Sequence, residues 1–461
     1  MIRSRMFKPL VAAFLVLLIM GCESQDKDLF VKEDILTWIG DLVALGDRRP
    51  GSAAERSAQQ YVMDKYQEFG LTSITREPFD ISVWDAGSYS LNVDGREIPC
   101  FYLPYSTFTE DDGLTADIVY LGEGREADFA STDVAGKIVV VDIRFGAFEL
   151  LGITIIEAAC WNVTNWSAYD LAVERGAAGF VGILVDYFDR NTFYAPTDNP
   201  SKPFAKRTIP GLWLSRSDGE TLREHIATGE NPRATLTLTG TVTEGETANV
   251  YGFIPGKTEE IILVHSHHDS VFKGAVEDAS GTAEVLALAR YFGREDAPKM
   301  KRTLMFLSAT GHFYNYKGHE TFLLSHMNDL VPRIVADICI EHIGKEVKEV
   351  DGQIVPTGRN NLTGMFTTRD CLGLIAAEAI VCNGLSRTLV VPWAREDEME
   401  SDALYYHYLG IPVVSLISAP LYLYDSIDTM DLVADDQLVP VACAFADIIN
   451  AVDKVPLSYL E

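Results

Sequence analysis

Four apolar runs in the second half of the chain each break off into histidine, aspartate or glutamate. Residues 261–264 are Ile, Ile, Leu and Val, and they run directly into His265, Ser266, His267, His268, Asp269 and Ser270. A short continuous apolar run of this kind predicts a strand buried on both faces of an α/β sheet. Residues 274–281 then form a turn in which Asp278 or Ser280 can cap a helix starting near Gly281. Residues 303–309 form a second run, ending in Thr310, Gly311 and His312, and residues 335–340 a third, ending in Glu341 and His342. A fourth, 411–417, leads into a loop with Tyr424, Asp425 and Ser426. Ligands of open α/β sheets gather beyond the carboxyl ends of strands. Four such ends in succession predict one crevice and, from their side chains, a metal site.

The first half is patterned differently. Residues 35–45 are apolar at helical spacing. Residues 53–69 form an amphipathic helix with Ala58, Tyr61, Val62, Tyr66 and Phe69 on one side and Gly70 as its stop. Residues 73–83 and 88–103 alternate as strands, with Asp94 and Gly95 a hairpin signal. Polar content rises near 107–113, and a separate unit is expected from there. Its elements are strands at 116–121, 137–142, 176–185, 210–214 and 233–238, with helices at 168–175 and 218–227. The chain returns through 249–254 to the strand that ends in the histidines. The fold class expected is α/β: a mixed central sheet with helices on both faces and an inserted, smaller β-rich domain.

Composition changes this picture at three points. A net charge of −29 over 461 residues argues against nucleic acid as a partner, since a phosphate backbone would repel it. Arg3, Arg5 and Lys8 precede a short apolar stretch, residues 10–20, which is too short to span a bilayer and reads as a signal segment. It closes on Gly21 and Cys22 in a pattern that resembles a bacterial lipoprotein box. That resemblance implies cleavage before Cys22, its lipidation, and a lipid-anchored location in the cell envelope, facing periplasm or exterior. The other six cysteines show no zinc-ribbon spacing, and Cys371 with Cys382 is the pair expected to bridge.

The order of several weak motifs carries a family resemblance. Gly46 to Ser52 followed by a helix, the run from Gly136 to Asp142, the run from Arg175 to Phe180, and the run from Ala248 to Gly256 occur in sequence. With His267, His268, Asp269 and Ser270 behind them, the chain resembles the co-catalytic zinc aminopeptidase and glutamate carboxypeptidase family, in the branch with a protease-associated insert. Behind the signal segment at 1–22, the resemblance implies a peptidase-like domain at 23–112 and 246–461, and the insert at 113–245.

It also implies roles. His267 is a ligand and Asp269 orients it. Glu277 stands where a carboxylate bridges two metals, with Asp278 as cap and fallback bridge. Gly311 and His312 stand where the family has two glutamates, a general base and a ligand. Tyr424 and Asp425 stand where it has a tyrosine and a ligating histidine. The donor set would therefore be preserved by exchange: His312, Asp425 and Glu277 on one metal, His267, Glu341 and Glu277 on the other. Two divalent ions, zinc first, suit such mixed donors. Gly311 has no side chain for proton transfer, which leaves His268, Asp278, His342 and Glu400 as candidate bases. His265 and His268 are otherwise expected to pack or to lie at the rim, and His319, His326 and His407 to lie at the surface.

The function implied is a membrane-anchored two-metal hydrolase of peptides or small amides, an exopeptidase acting through a metal-bridging hydroxide. The alternative is a catalytically silent, receptor-like binding protein on the same scaffold. Glutaminyl cyclisation on a related fold is a third reading.

Overall fold

The computed structural model describes residues 27–150, 153–156, 159–160, 162–195, 207–228, 232–394 and 401–460. Two helices, α1 (Lys32–Ala44) and α2 (Ala53–Glu68), lead into the long strand β1 (Thr72–Val93). The strands expected at 73–83 and 88–103 are thus one ribbon, kept continuous by pairing along its length with an equally long return strand. Asp94 and Gly95 make the predicted tight turn, with φ of 48° and 85° and Val93 paired to Arg96. There follow β2 (Leu114–Tyr120), β3 (Ile138–Ile143), α3 (Ser167–Glu174), β4 (Gly179–Leu184), β5 (Gly211–Leu214) and α4 (Arg216–Thr228). The return strand is β6 (Arg233–Ile254).

The remaining elements alternate strand and helix. They are β7 (Ile261–His267), α5 (Gly281–Gly293), β8 (Thr303–Ala309), α6 (Lys317–Ser325), β9 (Ile334–Ile340), β10 (Thr363–Thr367), α7 (Asp370–Asn383), β11 (Thr388–Pro392), β12 (Val413–Ser418) and α8 (Leu438–Val452). One mixed sheet runs through the molecule in the order β11-β10-β12-β9-β7-β8-β6-β2-β3-β4-β5. Its centre, β12, β9, β7 and β8, is parallel, so four carboxyl ends lie side by side along one sheet edge. The expected α/β class, a mixed sheet with helices on both faces, is what is observed.

Period-two alternation shows why both faces are covered. Ile262 and Val264 of β7 belong to the large core with Ile35 and Ile39 of α1 and Leu286 of α5. Ile261 and Leu263 face the other way, into a smaller core with Phe322 and Leu323 of α6. Every residue of β7 and β8 is buried, which is why their sequences read as unbroken apolar runs.

Cys371 and Cys382 both fall in α7. Eleven residues along one helix separate them by roughly 16 Å, well beyond disulfide reach. The expected bridge is therefore not formed, and the Cys371 thiol instead reaches the Tyr459 carbonyl at 3.3 Å.

Candidate metal centre

The turn after β7 is built before any ligand is placed. Arg48, fully buried, donates through Nε to the His268 carbonyl at 3.0 Å and through Nη1 to those of Leu42 and Lys273 at 3.0 and 2.9 Å. Its Nη2 reaches Gly274 at 2.9 Å. Part of the signature at residues 46–52 thus acts as a staple for the loop behind the site. Asp428 accepts the Val276 and Glu277 N–H groups, each at 2.9 Å, from the opposite side. Asp278 caps α5, accepting the Gly281 N–H at 3.2 Å. Glycine is required at that start: a Cβ on Gly281 would lie 2.3 Å from the Ile340 carbonyl oxygen.

Glu277 sits at the middle of the donors this turn presents. His267 Nε2 is 3.4 Å and His312 Nε2 3.6 Å from its Oε1, while His342 Nε2 is 2.5 Å from its Oε2. The His267 and His312 rings stack at 4.2 Å with an 11° interplanar angle. Atoms of His267, Glu277 and His342 fall within 4.8 Å of one another, as do atoms of His267, His312, Glu341 and Asp402. Among the described residues these two groups share His267, so six side chains form one cluster.

The hydrogen bonds of these groups point outward and leave their other atoms facing inward. His267 Nδ1–H donates to the Asp269 backbone carbonyl at 2.9 Å, with the Asp269 carboxylate itself at 3.4 Å. His312 Nδ1–H donates to Asp402 at 2.7 Å, and His342 Nδ1–H to the Ser418 carbonyl at 2.7 Å. These bonds fix each imidazole in the tautomer whose Nε2 carries a lone pair. Glu341 Oε1 accepts the Ser401 hydroxyl and the Asp402 N–H at 2.9 and 3.2 Å. What remains is His267 Nε2, His312 Nε2, Glu277 Oε1 and Glu341 Oε2, all buried and without a hydrogen-bond partner. Buried polar atoms left so are costly. Clustered imidazole and carboxylate atoms in that condition fit a divalent metal, whose charge also offsets the buried acids.

The cluster sets the charge states around it. Burial opposes ionisation of Glu277, yet the His342 and His312 rings, when protonated, hold its carboxyl well below the usual range. Asp278 has lost that contest: burial pushes its carboxyl up to about 7 despite His267 and His342 nearby.

Of the five ligands expected from sequence, the structure brings together His267, Glu277, His312 and Glu341. It does not bring Asp425. That carboxylate, fully buried, accepts Arg190 Nε at 3.0 Å, the Thr192 hydroxyl at 2.8 Å and the Tyr187 hydroxyl at 3.3 Å. Tyr194 N–H adds a bond to the Tyr424 carbonyl at 2.8 Å. Asp425 therefore fastens the segment 187–194 to the loop after β12, and the donor exchange between His312 and Asp425 is corrected accordingly. His268 turns away from the cluster, its ring meeting Ser308 at 3.0 Å and Glu55 at 3.4 Å. His265, as expected, packs in the interior, 2.9 Å from Asp337. Glu400 and Cys22 lie outside the described residues.

Sequence reasoning missed Asp402 and misplaced His319 and His407. Asp402 holds His312 through Oδ1 and His319 through Oδ2, the latter at 3.0 Å. His319 and His407 are buried rather than at the surface. Asp402 follows closely on the acidic run at 396–400, whose composition is that of a solvated loop. Its one signal was the apolar helix that begins at Leu404.

Residues 249–439 match the family model of peptidase family M28. The match covers less than half of the chain. The M28 match spans β7, β8 and β9 and every member of the cluster. Aminopeptidase YwaD of Bacillus subtilis is 25% identical over 296 residues, covering 62% of this chain and 58% of its own. Mouse carboxypeptidase Q is 23% identical over 385 residues, covering 81% and 74%. The solved zinc aminopeptidase BSAP of Bacillus subtilis superposes with a TM-score of 0.69 at 18% identity, over 93% of this chain and 98% of that one. The aminopeptidase from Aneurinibacillus sp. strain AM-1 superposes at 0.65, 21% identity, over 92% and 94%. The structural likenesses bear out the expected fold, and the M28 match over residues 249–439 agrees with the family resemblance.

Proposed function

We propose that this chain belongs to peptidase family M28 and is a zinc-dependent exopeptidase-type hydrolase that removes a terminal residue from peptides or cleaves small amides. One observation carries the reading: the inward atoms of His267, Glu277, His312 and Glu341 are buried, lack hydrogen-bond partners and sit at the carboxyl ends of adjacent parallel strands. These residues, with His342, would hold two divalent ions. Bound there, such ions supply Lewis acidity to a carbonyl oxygen and make water acidic near neutral pH.

The chain's own part is to orient and exclude. Asp269, Asp402 and Ser418 hold the three imidazoles with Nε2 turned towards the cluster. Glu277 offers one oxygen to each side of the cluster. Proton transfer is assigned to Asp278, whose carboxylate Oδ2 lies 3.9 Å from His267 Nε2 at the cluster. Residues 113–245 are read as a protease-associated insert that restricts access to chain ends, and the bonds from Arg190, Thr192 and Tyr194 to the loop at 424–426 support that placement. Lipidation at Cys22 would anchor the chain to the cell envelope. Among the described residues no helix is long and apolar enough to cross a membrane.

Gly311 favours a second reading. A glycine with φ of 76° stands at the end of β8 where a base would be expected, so a metal-loaded but catalytically silent binding protein is the alternative. Metal analysis together with a panel of aminoacyl and N-acyl amides separates the two. Turnover that is lost on chelation and restored by zinc is expected. Two bound metals without turnover of any substrate would replace the enzyme reading with the binding one.

A further inference from the structure

A second cavity opens beside the turn that carries His312. It is a cleft of about 870 Å³, within the size range of ligand pockets. Its apolar wall is aromatic: Trp84, Tyr105, Phe108 and Tyr314. Trp84 stacks on Phe108 at 5.0 Å, and Tyr314 meets Tyr105 edge-on at 5.1 Å. Tyr314 belongs to the single turn His312–Tyr314, so one three-residue segment supplies both a donor to the metal cluster and a wall of this cleft.

The rim is acidic in a way the protein does not balance. In the register of β1 on β6, Asp80 stands opposite Glu246 and Ser82 opposite Glu244, which puts three carboxylates on one face of the ribbon. Like charges directly across a ladder repel. Arg76 answers Glu246 at 2.8 Å, and Lys317, also on the rim, is taken by Glu320 at 2.8 Å. The Arg207 guanidinium, which lines the floor, is already bound to the Pro104 carbonyl and stacked 4.8 Å over Trp166. Asp80 and Glu244, both exposed, pair with no cation among the described residues. An aromatic floor under an unbalanced acidic rim selects a ligand that is apolar and positively charged.

We infer that this cleft binds a cationic, apolar segment of the peptide substrate, a Lys or Arg beside an aromatic or aliphatic residue, beyond the residue being removed. The inference rests on the hydrolase reading and extends it to substrate choice.

The test uses the full chain and two fluorescein-labelled pentapeptides of equal apolarity, one carrying Phe-Lys and one Phe-Glu, followed by anisotropy. The cationic peptide should bind and should weaken with added salt. The double variant Asp80→Lys with Glu244→Lys, at exposed strand positions that tolerate lysine, should lower its affinity roughly tenfold, about 0.7 kcal/mol for each of two partly exposed pairs. An unchanged thermal midpoint shows that the variant is folded. Turnover of a single aminoacyl amide, too short to reach the cleft, should not change. Equal binding of the acidic peptide, or an affinity indifferent to the charge reversal, would overturn the inference. Because binding is read without turnover, charge-sensitive binding by a chain that cleaves nothing would remove the hydrolase reading instead.

Discussion

His312 and Asp402 are joined through Nδ1 and Oδ1 at 2.7 Å, and the same carboxylate holds His319 on its other oxygen. All three side chains are buried. A carboxylate that fixes a ligand's tautomer supports metal affinity without needing to touch the metal. Replacing Asp402 with Asn keeps an acceptor for one ring and loses it for the other. Zinc affinity measured by chelator competition is expected to fall roughly 10–100-fold. Affinity unchanged in Asp402→Asn would show that His312 is not a ligand held in this way.

Asp425 should behave differently. Its partners are Arg190, Thr192 and Tyr187, so Asp425→Ala is expected to leave metal content intact and to loosen the segment 187–194. Faster hydrogen exchange across that segment is the readout. Loss of metal from Asp425→Ala would restore the donor exchange that the sequence suggested.

The staple behind the site gives a stability prediction. Arg48 answers four backbone carbonyls from a buried position, and burial lowers its own pKa to about 10. Arg48→Met would leave those carbonyls without donors, at roughly 1–3 kcal/mol for each one that water cannot reach. A thermal midpoint many degrees lower is expected, with metal binding lost in parallel. A midpoint within a degree or two of the parent would contradict the staple.

Asp428 predicts a pH dependence. Burial raises its carboxyl from the ordinary 3.8 to about 7, against the pull of the Glu277 and Val276 N–H groups. A carboxyl raised in the fold contributes stability that is complete below 3.8 and is lost as pH climbs through about 7. Asp428→Asn cannot ionise and lacks this decline. In chelated protein, the advantage of the parent over Asp428→Asn should be larger near pH 4.5 than at pH 8. Equal differences at both values would show that Asp428 is ionised throughout.

Much of this was legible in the sequence, for a physical reason. β7 and β8 are buried on both faces, so their composition announces them, and His267 and His312 follow directly on those runs. Ser266 to Ser270 and Gly281 are constrained locally by a turn and a cap. Asp402 and His319 were not legible, because their roles depend on two segments meeting across the sheet edge, and neither lies next to a strand end. Asp425 misled for a related reason. Its place in the chain is that of a ligand, but Arg190, more than two hundred residues away, neutralises it. Local pattern cannot reveal a partner at that distance.

The central claim is that the buried atoms around Glu277 exist to bind metal. Elemental analysis of the purified full chain, beside Glu277→Ala, tests it most directly. Two zinc ions per chain in the parent, with Glu277→Ala retaining less than half of that, is the predicted result. A parent that purifies without metal, takes up none when zinc is added, and keeps its thermal midpoint in chelator would contradict the account.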